Sequence, residues 1–209
     1  MRKLLSLSLM LFLWTFMAWG QTTVTIGSGT NTGSKLPVSP FFTYSYSQQI
    51  ILQSEIAQTG TITKIKFYMV GGVSLNYSNN WTIYLGHTTK TAFSSNTDWV
   101  GSAALTQVYS GNITSTPAAG WYEIVLSTSF NYNNTDNLVI AVDENASSYN
   151  GSANYARIFT PSGAATYRSI YYENDGTNPN PASPPTATTR QTYLNQVQLV
   201  FETATTVPN

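Results

Sequence analysis

The sequence contains no cysteine, a single histidine and only 9% charged residues, and each scarcity removes a class of chemistry. Without cysteine there can be no disulfide framework, no thiol nucleophile and no cysteine zinc site. One histidine, His87, cannot supply the two or three imidazoles usual in a catalytic zinc site. A serine triad needs a base and an orienting carboxylate near the nucleophile, and no G-x-S-x-G elbow occurs in the chain.

Long hydrophobic runs are also lacking, apart from one at the start. Arg2 and Lys3 precede an apolar stretch from Leu4 to Trp19, and small residues stand at Ala18 and Gly20. That order of basic, apolar and small segments predicts a cleavable secretory signal peptide over 1–20. The stretch is interrupted by Ser6, Ser8 and Thr15, and it is short of the roughly 20 predominantly apolar residues of a membrane span. The expected mature chain begins at Gln21, is secreted or held at the cell surface, and does not insert in a membrane. Cleavage removes two of nine basic residues, leaving seven against nine acidic, a net charge of −2. A nucleic-acid partner is not expected, because it would require a basic footprint.

What is abundant is Ser, Thr, Asn, Gly and Tyr, arranged in short alternating runs. Ile65, Phe67 and Met69 alternate with Lys64, Lys66 and Tyr68 within Thr61 to Val70, the two-residue period of a half-buried strand. Trp81, Ile83, Leu85 and His87 share one face of a second run. Tyr122, Ile124 and Leu126 alternate with Trp121, Glu123 and Val125 in a third. Leu138 to Val142 is nearly continuous and reads as a central strand. Val24 to Ile26, Gln48 to Leu52, Gln107 to Ser110, Tyr155 to Phe159, Ser169 to Glu173 and Gln196 to Glu202 complete the set, with Val197, Leu199 and Phe201 on one face of the last.

Gly71-Gly72, Asn79-Asn80, Asn133-Asn134 and Asn174-Asp175-Gly176 punctuate these runs with residues that accept left-handed backbone angles. About ten such strands predict an all-β domain, a two-sheet antiparallel β-sandwich of jelly-roll type with one sheet face partly exposed, over 21–202. About 185 residues at this size bury roughly 70% of the unfolded chain's surface, enough for one core without disulfides. Asn178 to Pro185, with four prolines, is excluded from any interior strand and reads as a long rim loop. The Thr-rich residues 203–209 have the composition of a linker to neighbouring domains in a longer chain.

The fourteen tyrosines exceed what a core readily takes, since each buried hydroxyl needs a partner. Tyr68, Tyr84 and Trp121 project from the non-core side of their strands, and Tyr44, Tyr46, Tyr149, Tyr171 and Tyr172 flank turn-rich segments. Flat aromatic faces stack on sugar rings while amides and hydroxyls bond the sugar's hydroxyl groups. Tyr68, Tyr84, Trp121, Tyr171 and Tyr172 are therefore the candidate ligand-binding residues, with burial between sheets or against a neighbouring domain as the alternative.

Asp143, Glu144, Glu173 and Asp175 are the carboxylates that a two-carboxylate glycosidase would draw on, with Asp143 and Glu144 as solvated turn residues at a strand end being the plainer reading. Asp143, Glu144 and Asp175, with Asn145, Asn174 and Asn178, also offer the hard oxygens of a structural calcium site, though their spacing matches no EF-hand loop. The triplets at Asn76, Asn80, Asn112, Asn133, Asn145 and Asn150 match N-x-[ST], a pattern that arises often by chance in an Asn- and Thr-rich chain. His87, on an apolar strand face, reads as structural.

NWTIYLGHTTKTAFSSNTDWV, TDNLVIAVDENASSY and RSIYYENDGTNPNPASPP resemble a β-sandwich module of large secreted and surface proteins of Bacteroidetes bacteria, from about Val24 to Phe201. The resemblance implies a cell-surface or secreted adhesin-like role beside fibronectin type III domains, and it transfers no catalytic residue. The expectation is a non-catalytic module without cofactor that binds a glycan or a surface protein. A spacer without ligand is the alternative, and a glycosidase a more remote one.

Overall fold

A computed structural model of the protein describes residues 19–151, 153–163 and 166–204. The predicted signal peptide up to residue 18, and the tail from 205, lie outside the described residues. The strands are β1 (Trp19–Ile26), β2 (Thr32–Gly33), β3 (Tyr44–Ile51), β4 (Gly60–Met69), β5 (Asn80–Thr88), β6 (Leu105–Asn112), β7 (Gly120–Tyr132), β8 (Asn137–Glu144), β9 (Ala156–Phe159), β10 (Ser169–Asn174), β11 (Thr189–Gln191), β12 (Leu194–Asn195) and β13 (Val197–Ala204). One helical turn, α1 (Gln53–Ile56), follows β3. No helix among the described residues is long and apolar enough to cross a membrane.

Two antiparallel sheets pack face to face as a β-sandwich, as the strand pattern predicts. The seven-stranded sheet runs β1-β13-β4-β9-β12, with β7 also on β4 and β2 on β9; the six-stranded sheet runs β11-β10-β3-β8-β5-β6. From β3 to β10 the chain alternates between the sheets except at the β5–β6 hairpin, the jelly-roll habit. All ten strands expected from the sequence form. The short β2, β11 and β12 and the turn α1 were not foreseen, because two to four residues carry no measurable periodicity. β1 begins at Trp19, two residues before the expected cleavage point, and Gln21 to Ile26 pair with Glu202 to Val197.

The core between the sheets is built from the faces that alternation predicts. Ile65, Phe67 and Met69 of β4 meet Trp81, Ile83 and Leu85 of β5, Leu138, Ile140 and Val142 of β8, and Leu199 and Phe201 of β13. Phe67 and Trp81 pack edge to face with centroids 6.0 Å apart. His87 is structural: its ring stacks against Phe130 and Tyr132 at 4.9 and 5.7 Å, and its Nε2 accepts the Asn133 N–H.

The partly exposed face expected of the sandwich is the outer face of the seven-stranded sheet, whereas that of the six-stranded sheet is largely covered. Ile50, Val139 and Ile170 on that face form a second cluster with Phe93, Val100 and Ala187, contributed by the β5–β6 connection and by the segment after the prolines. Gln48 fixes this roof by donating to the Val100 carbonyl at 2.9 Å and accepting the Val100 N–H at 2.8 Å. Trp99 Nε1 donates to the Pro185 carbonyl. The proline-rich segment is irregular, as predicted, but it helps to cover a sheet face rather than merely edging a rim. Gly86 permits the close approach: a Cβ there would stand 2.1 Å from the Ala104 carbonyl oxygen.

Candidate functional site

Strand alternation decides where the predicted residues go. Tyr68 and Trp121 are register partners on the outer face of the seven-stranded sheet, with rings 5.1 Å apart in a T arrangement and the Arg157 guanidinium 5.7 Å from Tyr68. Tyr84 lies on the outer face of the other sheet, so Tyr84 and Trp121 stand on opposite sides of the sandwich and cannot share a platform. Tyr172 is on the same face as Tyr84, in a transverse row Tyr172, Tyr46, Asp143, Thr82, Ser110. Tyr171 is 5% exposed, flanked by Ser47 of β3 and Thr189 of β11 with Lys35 5.9 Å above it, too enclosed for a ligand-stacking surface.

The carboxylates separate in the same way. Asp143 and Glu144 are consecutive in β8, so Asp143 faces the outer side beside Tyr46 and Thr82 while Glu144 faces the interior beside Ser45 and Trp81. Asp175 is turned elsewhere and accepts from the Thr43 N–H and hydroxyl. Glu173 is held by Lys35 at 2.8 Å and by the Ser39 hydroxyl. The proposed calcium ligands Asp143, Glu144 and Asp175 therefore do not converge, and no three His, Cys, Asp or Glu among the described residues gather around a common point. The same divergence prevents Asp143 and Glu144 from flanking one glycosidic bond.

These two carboxyls are nonetheless unusual. Asp143 Oδ1 and Glu144 Oε2 are buried without a hydrogen-bond partner. Burial pushes Asp143 up to about 6 against the opposing hydrogen bond from Asn145. Burial pushes Glu144 up to about 9, with the Ala146 N–H opposing and the Asp143 charge adding to the rise. A carboxyl removed from water and short of donors keeps its proton, because the charged form loses its solvation.

The partners that these carboxyls do have are the residues leading into a groove at this end of the sheet. Asn145 Nδ2 donates to Asp143 Oδ2 at 3.0 Å, and Asn145 Oδ1 accepts from Asn178. The Ala146 N–H donates to Glu144 Oε1 at 2.8 Å, and the Asn145 N–H to the Asn80 carbonyl at 2.9 Å. β8 thus hands the chain to a loop fixed against the first residue of β5.

The resulting groove, about 310 Å³, is lined by Asn76, Tyr77, Asn79, Asn80, Asn112 and Asn145, with Ala146 to Ser148 closing it. Asn79 spends its amide on the Ile113 carbonyl and Asn145 on Asp143. The side-chain amides of Asn76, Asn80 and Asn112 have no partner in the protein. Each keeps its donors and its acceptor unused at the groove.

Aromatic rings stand at the same rim. The five exposed large apolar side chains among the described residues are Phe41, Tyr77, Val125, Tyr149 and Tyr167, and three of them, Phe41, Tyr77 and Tyr149, are here. Phe41 and Tyr149 rings are 6.5 Å apart, and Asn150 ties the loops together by accepting the Tyr77 N–H and donating its own N–H to the Pro40 carbonyl. Sequence reasoning missed Phe41 and Tyr77 because neither lies on an alternating strand. The signal that could have found the rim is the N-x-[ST] triplets: Asn76, Asn80, Asn112, Asn145 and Asn150 meet here, and only Asn133 falls at the far end of β5, beside His87.

Four tyrosines prove structural. Tyr46, Tyr132, Tyr155 and Tyr171 are buried, and Tyr155 both accepts the Val38 N–H and donates to the Val38 carbonyl at 2.8 Å. No protein family, curated protein or solved structure matches this chain.

Proposed function

We propose that this is an exported, non-catalytic binding module of a secreted or surface protein, and that it takes carbohydrate at the amide-lined groove. The observation that carries the reading is the meeting of three unpartnered amides, Asn76, Asn80 and Asn112, with exposed Tyr77 and the Phe41–Tyr149 pair at one rim. A sugar presents hydroxyls that both donate and accept, and C–H faces that stack on rings. An amide offers both functions in one group. The lining residues carry no charge, which suits a neutral ligand. The resemblance to surface modules of Bacteroidetes and the basic-apolar-small N-terminus support export.

The test is a glycan array probed with the purified protein and with Tyr77→Ala/Asn80→Ala. Binding that falls at least tenfold in the double variant, about 1.4 kcal/mol, with an unchanged melting curve supports the groove. Binding that survives the double variant removes it.

A second reading has its own observation. Tyr46, Tyr132, Tyr155 and Tyr171 are consumed inside the fold, and the Tyr68–Trp121 pair with Lys64, Lys66 and Glu123 forms a bare outer face suited to packing against a neighbouring domain. A protein that binds no glycan while Trp121 becomes protected on joining the next domain is a spacer.

A further inference from the structure

At the other end of β3 from the amide groove lies a larger hollow of about 600 Å³, lined by the β1–β2 connection, the turn α1 and the residues after β9. Its floor is Arg168, 3% exposed, whose Nε and Nη2 donate to the Ile50 carbonyl at 3.1 and 2.8 Å. Nη1 donates to Glu55 Oε1 at 2.9 Å, and Nη2 also pairs with Glu55 Oε2. Of the five N–H groups of a guanidinium, four are thus used and one on Nη1 remains.

One wall is the ring of Phe159. Gly27, with φ +80°, lets that ring lie flush on the backbone, since a Cβ at Gly27 would stand 2.1 Å from it. The remaining wall is polar: Ser28, Asn31, Ser54, Thr160 and Ser162 line the hollow, and their side chains have no hydrogen-bond partner in the protein.

From this arrangement we infer that the hollow is a second ligand site, and that its ligand is a single neutral sugar ring. Glu55 neutralises Arg168, so a carboxylate or phosphate ligand would meet a paired cation and a facing acid. A cationic ligand would meet the buried guanidinium. A neutral polyol meets neither penalty: its hydroxyls match the five free polar side chains and the remaining Nη1–H, and its C–H face matches Phe159. The volume lies within the range of about 300–1,000 Å³ usual for small-molecule sites. This inference stands on residues separate from those of the amide groove, so either site can fail without the other.

The experiment is a titration of the isotope-labelled protein with free glucose, galactose, mannose, fucose and N-acetylglucosamine, and with acetate and glucuronate as acidic probes, read by backbone amide shifts. The expected result is saturable movement of Ser28, Asn31, Ser54, Glu55, Thr160 and Arg168 amides with at least one neutral sugar, with Kd on the order of 1 mM. Asn31→Ala/Thr160→Ala, both at exposed positions, weakens that response at least fivefold with the rest of the spectrum in place. Tyr77→Ala/Asn80→Ala leaves it unchanged, which separates this hollow from the groove. No saturable shift with any neutral sugar overturns the inference. So does a response confined to acetate and glucuronate, or one that the Asn31/Thr160 variant leaves intact.

Discussion

The two sheets of this sandwich differ in how many of their faces are dry. The seven-stranded sheet buries one face and leaves the other to Lys64, Lys66, Tyr68, Trp121, Glu123 and Val125. The six-stranded sheet buries the inner face in the main core and much of the outer face under Phe93, Trp99, Val100 and Ala187. That difference is written into strand composition: β4 and β7 alternate, whereas β8 reads Leu138, Val139, Ile140, Ala141, Val142 because neither of its faces meets water. β8, enclosed on both sides, is also the strand whose final residues, Asp143 and Glu144, are carboxyls without full partners.

The sharpest way to break the contrast is to unroof one sheet. Phe93→Ala, at 1% exposure, should cost about 3–5 kcal/mol, whereas Val125→Ala at 60% exposure should fall within about 0.5 kcal/mol. Urea denaturation measures both, and equal losses would mean the roof contributes no more than a surface patch.

A second difference should appear on titration. Glu144 is raised from the ordinary carboxyl value to about 9 when folded, so the native state holds a proton that the unfolded state releases. Stability is then greatest below the unfolded value near 4.5 and declines as pH rises toward about 9, by on the order of 1 kcal/mol per unit. Asp143, raised to about 6, adds to the same decline at its acidic end. Glu144→Gln should flatten the slope and leave the variant more stable than the parent at pH 8. Melting temperatures across pH 4 to 9 that run parallel for the two proteins would contradict this.

The smallest effect expected is from Trp121→Ala on the bare face. Its contacts are to Tyr68 on an open surface, so about 1 kcal/mol or less should be lost, with glycan binding untouched. Loss of binding in this variant would move the site from the rim to the sheet.

Much of the fold was legible because period two is a strong signal wherever one face is wet. β4, β5, β7 and β13 showed their core faces directly, and His87 was read as structural for the same reason. The roof was not legible, because Phe93, Trp99 and Val100 sit in an irregular connection whose destination no local pattern encodes. The site was only half legible. Alternation correctly sent Tyr68, Tyr84 and Trp121 away from the core, but it could not say that Tyr84 and Trp121 belong to different sheets. Tyr171 shows the reverse error, since its enclosed place between Ser47 and Thr189 depends on β10 pairing with a strand more than a hundred residues earlier. The amide groove depends on three strand ends, at Asn80, Asn112 and Glu144, coming side by side, which is a property of the hairpin and sheet order rather than of any segment.

The loop 145–151 that closes the groove places none of its residues in either apolar cluster and is held by hydrogen bonds, from Asn145 and Ala146 at its root and at Asn150 to Tyr77 and Pro40. Ser147 and Ser148, which make none of these bonds, can thus be exchanged without a change in the apolar core. On the proposed reading of the groove, these two positions would tune what it takes while the scaffold that displays it stays the same.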